Sequence, residues 1–205
     1  MVRFDDMAKM SREQRIRARK EKAFRRRMMA LAVIVVVVVP VVLFYYFGSR
    51  PNADLNRILL KTTMGDITIQ LYDDMPTTTG NFRNLVKGGV YDDTIFHRVV
   101  HDFVIQGGDA TAKGIDVAAI LDELPNKHSN VRGSVAMAKT SEPNSATSQF
   151  YINLKDNSDD LDSNYSVFGT VTAGMDVVDA IGNVATDSDD KPLQDVRIIK
   201  AELIK

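Results

Sequence analysis

The chain has 205 residues, 44% of them hydrophobic and 26% charged, a balance that argues against disorder along its whole length. It holds no cysteine, which removes disulfides, thiol nucleophiles and thiolate metal sites. The formal net charge of −1 conceals a division: residues 1–27 carry 11 Lys/Arg against 4 Asp/Glu, and the remaining chain carries 15 against 23, so two environments are expected.

Residues 1–27 form a basic segment whose SREQRIRARKEKAFRRR lies directly ahead of MMALAVIVVVVVPVVLFYYF. That apolar run, residues 28–47, has no charge and the length a helix needs to cross a membrane. Its valines are mediocre helix formers in water, but in lipid a helix satisfies every backbone N–H and C=O. Pro40 is expected to kink it, and Tyr45, Tyr46 and Phe47 sit where an interfacial aromatic belt belongs. A cleaved signal peptide is the competing reading, but its apolar region would be shorter, and Tyr46-Phe47-Gly48-Ser49 supplies no small-x-small site. Lys and Arg beside a span stay in the cytoplasm, so a single-pass anchor in the cell membrane predicts a cytoplasmic N-terminus and an extracytoplasmic domain. The basic run needs no role beyond topology. Attraction to anionic lipid is secondary, and no nucleic-acid binding is expected, because no recognised motif accompanies the charges. Residues 48–56, GSRPNADLN, read as a polar linker.

From Arg57 onward the pattern changes to short strands. In ILLKTTMGDITIQLY, Ile67, Ile69 and Leu71 alternate after Thr63-Met64-Gly65-Asp66, which reads as a hairpin turn. Pro76 and Thr77-Thr78-Thr79 offer a helix start, Phe82, Leu85 and Val86 its apolar stripe, and Gly88-Gly89 its stop. FHRVV, FVIQG, GSVAMA, SQFYINL, YSVFGTV and DVRIIKAELI read as further strands. A second helix is expected around Met175–Ile181, where Val177, Val178 and Ile181 share a face. Many strands, two helices and no βαβ rhythm predict a mainly β domain over residues 57–205, a closed antiparallel sheet with helices at its ends.

The densest polar cluster is FHRVVHDFVIQGGD, residues 96–109. His97 alternates with its neighbours and reads as a core or edge residue, while His101 and Asp102 read as solvated turn residues. His128, the last of three histidines, lies in a polar loop, and no metal-ligand spacing is present. A Ser–His–Asp hydrolase is a weak alternative, because no strand–turn–helix nucleophile elbow accompanies the histidines.

FHRVVHDFVIQGGD, then GSVAMAKTSEPNSATSQFYINL, then LDSNYSVFGTV resemble the cyclophilin family of peptidyl-prolyl cis-trans isomerases, in the family's order and over Arg57 to Lys205. The resemblance implies an eight-stranded antiparallel β-barrel capped by two α-helices, with a groove on one outer face. It also implies a substrate class, proline-containing polypeptides, and no metal, nucleotide or organic cofactor. Arg98 matches the family's principal catalytic residue, and Phe103 and Gln106 match its companions. Val104, Tyr151, Leu161 and Tyr165 match walls of the proline pocket along with Phe103. Ala138 and Lys139 match the segment that pairs with an extended substrate, Thr140 its neighbour, and Gln149 a supporting amide. Simple alternation would put Phe103 and Gln106 on opposite faces, so a bulge or strong twist is expected in their strand.

The chain departs from the family at several positions. Val104 stands where methionine is common, Lys139 for asparagine, Tyr151 for phenylalanine and Tyr165 for histidine. Asp160 falls where a tryptophan supports cyclosporin binding, so weak cyclosporin affinity is expected. Lys139 is expected to act through its backbone. The reading is a monomeric, membrane-anchored isomerase assisting the folding of exported proteins, with a non-catalytic proline-binding module as the alternative.

Overall fold

The computed structural model describes residues 17, 19–25, 28, 29 and 56–205, in two compact units, Met1–Pro51 and Asn52–Lys205. In the first unit the described residues are helical, and Arg25 pairs with Glu21 one turn earlier at 3.3 Å. The expected membrane helix beyond Met29, most of the basic segment and nearly all of the linker lie outside the described residues. Among the described residues, no helix is long and apolar enough to cross a membrane.

The second unit begins with a hairpin. Strand β1 (Arg57–Thr62) pairs with β2 (Gly65–Leu71), with Thr62 opposite Gly65. The Thr62 hydroxyl donates to the Gly65 carbonyl at 2.6 Å and accepts from the Met64 N–H at 3.1 Å, which closes the turn. Ile67, Ile69 and Leu71 are buried as their alternation requires. Helix α1 (Pro76–Lys87) starts on its proline and stops at Gly88. No side chain of its own caps it. Instead Glu123, from a distant loop, accepts hydrogen bonds from the Thr77 and Thr78 N–H groups at 3.0 and 2.8 Å, placing a carboxylate at the positive helix end.

Six strands follow: β3 (Thr94–Val100), β4 (Val104–Gly107), β5 (Ser134–Met137), β6 (Phe150–Asn153), β7 (Val167–Ala173) and β8 (Arg197–Ile204). They close an antiparallel barrel in the order β1-β2-β7-β5-β6-β4-β3-β8. Helix α3 (Met175–Gly182) covers one end, burying Val178 and Ile181. It departs from Gly174, whose φ of +82° favours glycine, and whose missing Cβ lets the Asp66 carbonyl approach. A four-residue helical turn, α2 (Ser158–Leu161), was not expected from the sequence, because one turn cannot display a helical period.

Strand alternation divides the apolar residues into two sets. Ile105, Val135, Phe150, Ile152 and Phe168 point inward and join Phe82 from α1 in the main core. There Phe82 lies 4.9 Å from Phe168 and 5.3 Å, edge-on, from Phe150. Val104, Ala136, Tyr151 and Val167 point outward and form a second cluster, with Phe103, Ala138, Leu161 and Tyr165 packed against it. The barrel therefore carries an apolar patch on the outer face of β4, β6, β5 and β7.

Candidate active site

The polar stretch at residues 96–109 meets this patch through an irregularity. In the β3–β4 ladder Phe96 faces Gly107 and Arg98 faces Gln106, with a register shift between them. His97 is the extra residue of a bulge. Phe96 and Val99 both lie in the core although three positions separate them, so the bulge reverses the alternation and turns Arg98 outward beside Gln106. Strict alternation from Phe96 would have sent Arg98 into the barrel.

The irregularity expected from Phe103 and Gln106 thus falls elsewhere than expected. Strand β4 runs in regular register from Val104 to Gly107. Phe103 belongs to the preceding turn, where Asp102 has a φ of +53° and the Phe103 N–H donates to the Val100 carbonyl at 3.0 Å. The turn frees Phe103 from the strand's parity and lets its ring join the outer patch.

The result is a groove of about 220 Å³ lined by Arg98, Phe103, Val104, Gln106, Ala138, Lys139, Tyr151, Leu161 and Tyr165. All are residues the resemblance singled out. Two others do not line it. Gln149 stands behind it, its side-chain oxygen accepting from the Gln106 amide nitrogen at 2.8 Å. That bond commits the nitrogen of Gln106 and leaves its carbonyl oxygen available beside Arg98. Thr140 is exposed and turned to its own loop, its hydroxyl donating to Ser145 at 2.8 Å. A larger cleft of about 620 Å³ runs between the β1–β2 turn at Met64 and residues 193–196. Among the described residues no Lys or Arg lines it, and none of the expected site residues lies there.

An amide network sets the groove floor. Tyr151 donates its hydroxyl proton to Asn130 Oδ1 at 2.7 Å, and Asn153 Nδ2 donates to the same oxygen at 3.2 Å. Asn157 Nδ2 donates to Asn153 Oδ1 at 2.7 Å and to the Phe103 carbonyl at 3.0 Å, tying the Phe103 turn to the same lattice. Burial raises the Tyr151 phenol well above its ordinary range, with Tyr165 and Asp162 adding to the effect, so it remains a neutral donor. Burial opposes ionisation of Asp162, yet hydrogen bonds from Asn130 and Ser129 together outweigh it and hold that carboxyl below its usual value. Tyr151→Phe should cost about 1 kcal/mol of stability, the worth of one net hydrogen bond, while turnover stays within about two-fold because the ring remains. Urea denaturation beside a peptide assay checks both parts.

Charge is arranged around this apolar floor. Lys139 does more than lend its backbone: its ammonium lies 2.7 Å from Asp122, with side chains only 9% and 12% exposed. Arg98 pairs with Asp190 at 3.4 Å, both more open to solvent. His97 is pushed below its ordinary imidazole range by burial first, against the pull of Asp109, so it is neutral at pH 7 and does not duplicate Arg98. His101 lies exposed in a turn near the Gly182 carbonyl, at 3.2 Å, and His128 pairs with Asp74 at 2.8 Å. Among the described residues no histidine hydrogen-bonds a serine, and no set of three His, Asp or Glu could hold a metal ion. Asp122, Asp190 and Asn130 were not foreseen, having only loop sequence around them to signal a role.

Residues 57–203 match the family model of the cyclophilin type peptidyl-prolyl cis-trans isomerases. The chain belongs to that family. It is 45% identical over 156 residues to a peptidyl-prolyl cis-trans isomerase of Acinetobacter baylyi, covering 70% of this chain and 83% of that protein. It is 42% identical over 165 residues to the isomerase cyp18 of Streptomyces antibioticus, covering 73% and 99%. Among solved structures, a Cryptosporidium parvum cyclophilin crystallised in the presence of the dipeptide Ala-Pro aligns with a TM-score of 0.67 at 29% identity, covering 73% and 98%. This cyclophilin domain is accordingly a peptidyl-prolyl cis-trans isomerase, acting on proline-containing chains.

Proposed function

We propose that Arg98 is the catalytic residue, that Phe103, Val104, Tyr151, Leu161 and Tyr165 hold the proline ring, and that Gln106 orients Arg98. The observation that carries this reading is the bulge at His97, which brings an otherwise inward arginine to the edge of an aromatic notch. Rotation about an X–Pro bond is slow because amide resonance must be broken, at a barrier of about 20 kcal/mol. No covalent bond to the enzyme is required. In the twisted state the proline nitrogen becomes pyramidal and gains a lone pair, which a guanidinium N–H can meet more strongly than in the planar amide. The apolar notch fixes the ring while the preceding residue turns, with Arg98 at its edge. Ala138 already gives its N–H to the Gln149 carbonyl at 2.9 Å, so main-chain pairing with a substrate falls to the Lys139 side of this segment.

We further propose that the domain works outside the cytoplasmic membrane on newly exported chains, tethered by residues 28–47. Support comes from the uncharged run and the basic segment before it. Proline isomerisation is a common slow step in the folding of such chains. Protease added to spheroplasts should digest residues 57–205, whereas inverted vesicles should protect them. The opposite pattern would place the domain in the cytoplasm and end the export role.

A further inference from the structure

The catalytic arginine shares its guanidinium with an acidic turn. Residues 187–191, Asp187-Ser188-Asp189-Asp190-Lys191, fold back on themselves: the Asp187 carboxylate accepts from the Asp189 and Lys191 N–H groups at 2.9 Å each. The turn is fastened to β3 next to Arg98, because the Val99 N–H donates to the Asp190 carbonyl at 2.8 Å. Asp190 itself has a φ of +64°, a conformation that aspartate and asparagine tolerate better than most residues. Together these features aim its carboxylate at Arg98 Nη2, 3.4 Å away, with the two side chains 42% and 43% exposed.

The position matters for substrates. Around the barrel β3 lies two strands from β6 and three from β5, so Arg98 lines the edge of the groove opposite Ala138 and Lys139, and Asp190 stands just outside that edge against Arg98. At the far edge the Lys139 charge is cancelled in a nearly buried pair with Asp122. At the near edge Asp190 is open to solvent, and Asp189 is exposed in the same turn. A polypeptide lying in the groove therefore meets, next to the catalytic cation, a solvent-open carboxylate in a turn that also carries the exposed Asp187, Asp189 and Lys191.

We propose that Asp190 is a specificity-determining residue: it makes the groove favour a cationic residue, and disfavour an anionic one, on the flank of the proline that lies against the Arg98 edge. A substrate Lys or Arg can take over part of the Asp190 charge as Arg98 turns to the amide. A substrate Glu or Asp instead meets Asp190 as a like charge and competes with the amide for Arg98. The inference rests on the assignment of Arg98 and extends it to a substrate class.

The test uses the full-length chain and Xaa–Pro peptides carrying Lys, Gln or Glu one residue after the proline, with a second series carrying them before the Xaa residue. Wild type should isomerise the Lys peptide about three- to five-fold faster than the Glu peptide, in kcat/KM, in one of the two series, an effect expected for a single solvent-exposed charge at close range. Asp190→Asn keeps the size and backbone tolerance of the residue and removes only the charge. It should bring the Lys and Glu peptides to within about two-fold of each other, read as the ratio of their kcat/KM so that any common change through Arg98 cancels, and high salt should shrink the wild-type difference in the same way. A merely structural role would change all three peptides in proportion and keep the wild-type Lys/Glu ratio, and that result overturns the inference, as does a wild type blind to charge on both flanks. If the Gln peptide is not accelerated by wild type at all, the assignment of the groove itself fails, a separate outcome.

Discussion

Arg98→Ala should lower kcat/KM for an Xaa–Pro peptide by about 10²–10³-fold, the range seen when one donor to a developing lone pair or charge is removed from a fixed site. Among the described residues Arg98 is the one arginine lining the groove, and the other cation there, Lys139, is held by Asp122 at 2.7 Å. No neighbour can take over its role. Arg98→Lys should recover only part of the loss: the charge returns, but the planar fork that can meet the amide and the Gln106 carbonyl together does not. The fold should tolerate both changes, since the Arg98–Asp190 pair is exposed and such pairs contribute about 1 kcal/mol or less. Peptide kinetics beside a urea melt separates lost chemistry from lost stability.

Asp122→Ala should destabilise the domain by about 3 kcal/mol, the cost of stranding a nearly buried ammonium. The contrast with Lys61–Glu202 is instructive: that pair is 44% and 39% exposed and should be worth under about 1 kcal/mol. Asp122 also accepts from the Asn144 N–H at 3.0 Å, and its own N–H donates to Asn144 Oδ1 at 2.8 Å, so its loop is fastened to the segment after Lys139 from both sides. Lys139→Met in the Asp122→Ala background removes the stranded charge and should restore most of the lost stability. A double-mutant cycle by urea denaturation reads the coupling directly. A cost below about 1 kcal/mol for Asp122→Ala would mean that water reaches the pair and that Lys139 is not fixed by it.

The strands and both main helices were legible because each buries one face and therefore repeats its apolar residues. Ile67, Ile69 and Leu71 alternate; Phe82 and Val86 recur at helical spacing; all are buried. The eight-strand count and the groove came from three motif blocks rather than from periodicity. What remained hidden has physical causes. A bulge adds one residue without changing composition, so His97 looks like any other member of FHRVV although it decides where Arg98 points. Helix α2 is too short to show a period. Asp122 and Asp190 act across 17 and 92 positions of chain, in loops whose residues look merely solvated. Asn130, Asn153 and Asn157 are buried yet polar, a combination allowed by hydrogen bonds to one another and to Tyr151, Asp162, Ser134 and the Phe103 carbonyl. Tyr151 and Tyr165, by contrast, belong to the outer cluster and line the groove, although their composition alone suggested ordinary core.

The most direct test of the account is the cis/trans exchange rate of a bound proline peptide, measured by NMR exchange spectroscopy at saturating full-length protein. The account predicts fast exchange on wild type, and on Arg98→Ala a comparable affinity with exchange slowed about 100-fold or more. Exchange on Arg98→Ala as fast as on wild type, with the peptide equally well bound, would contradict it.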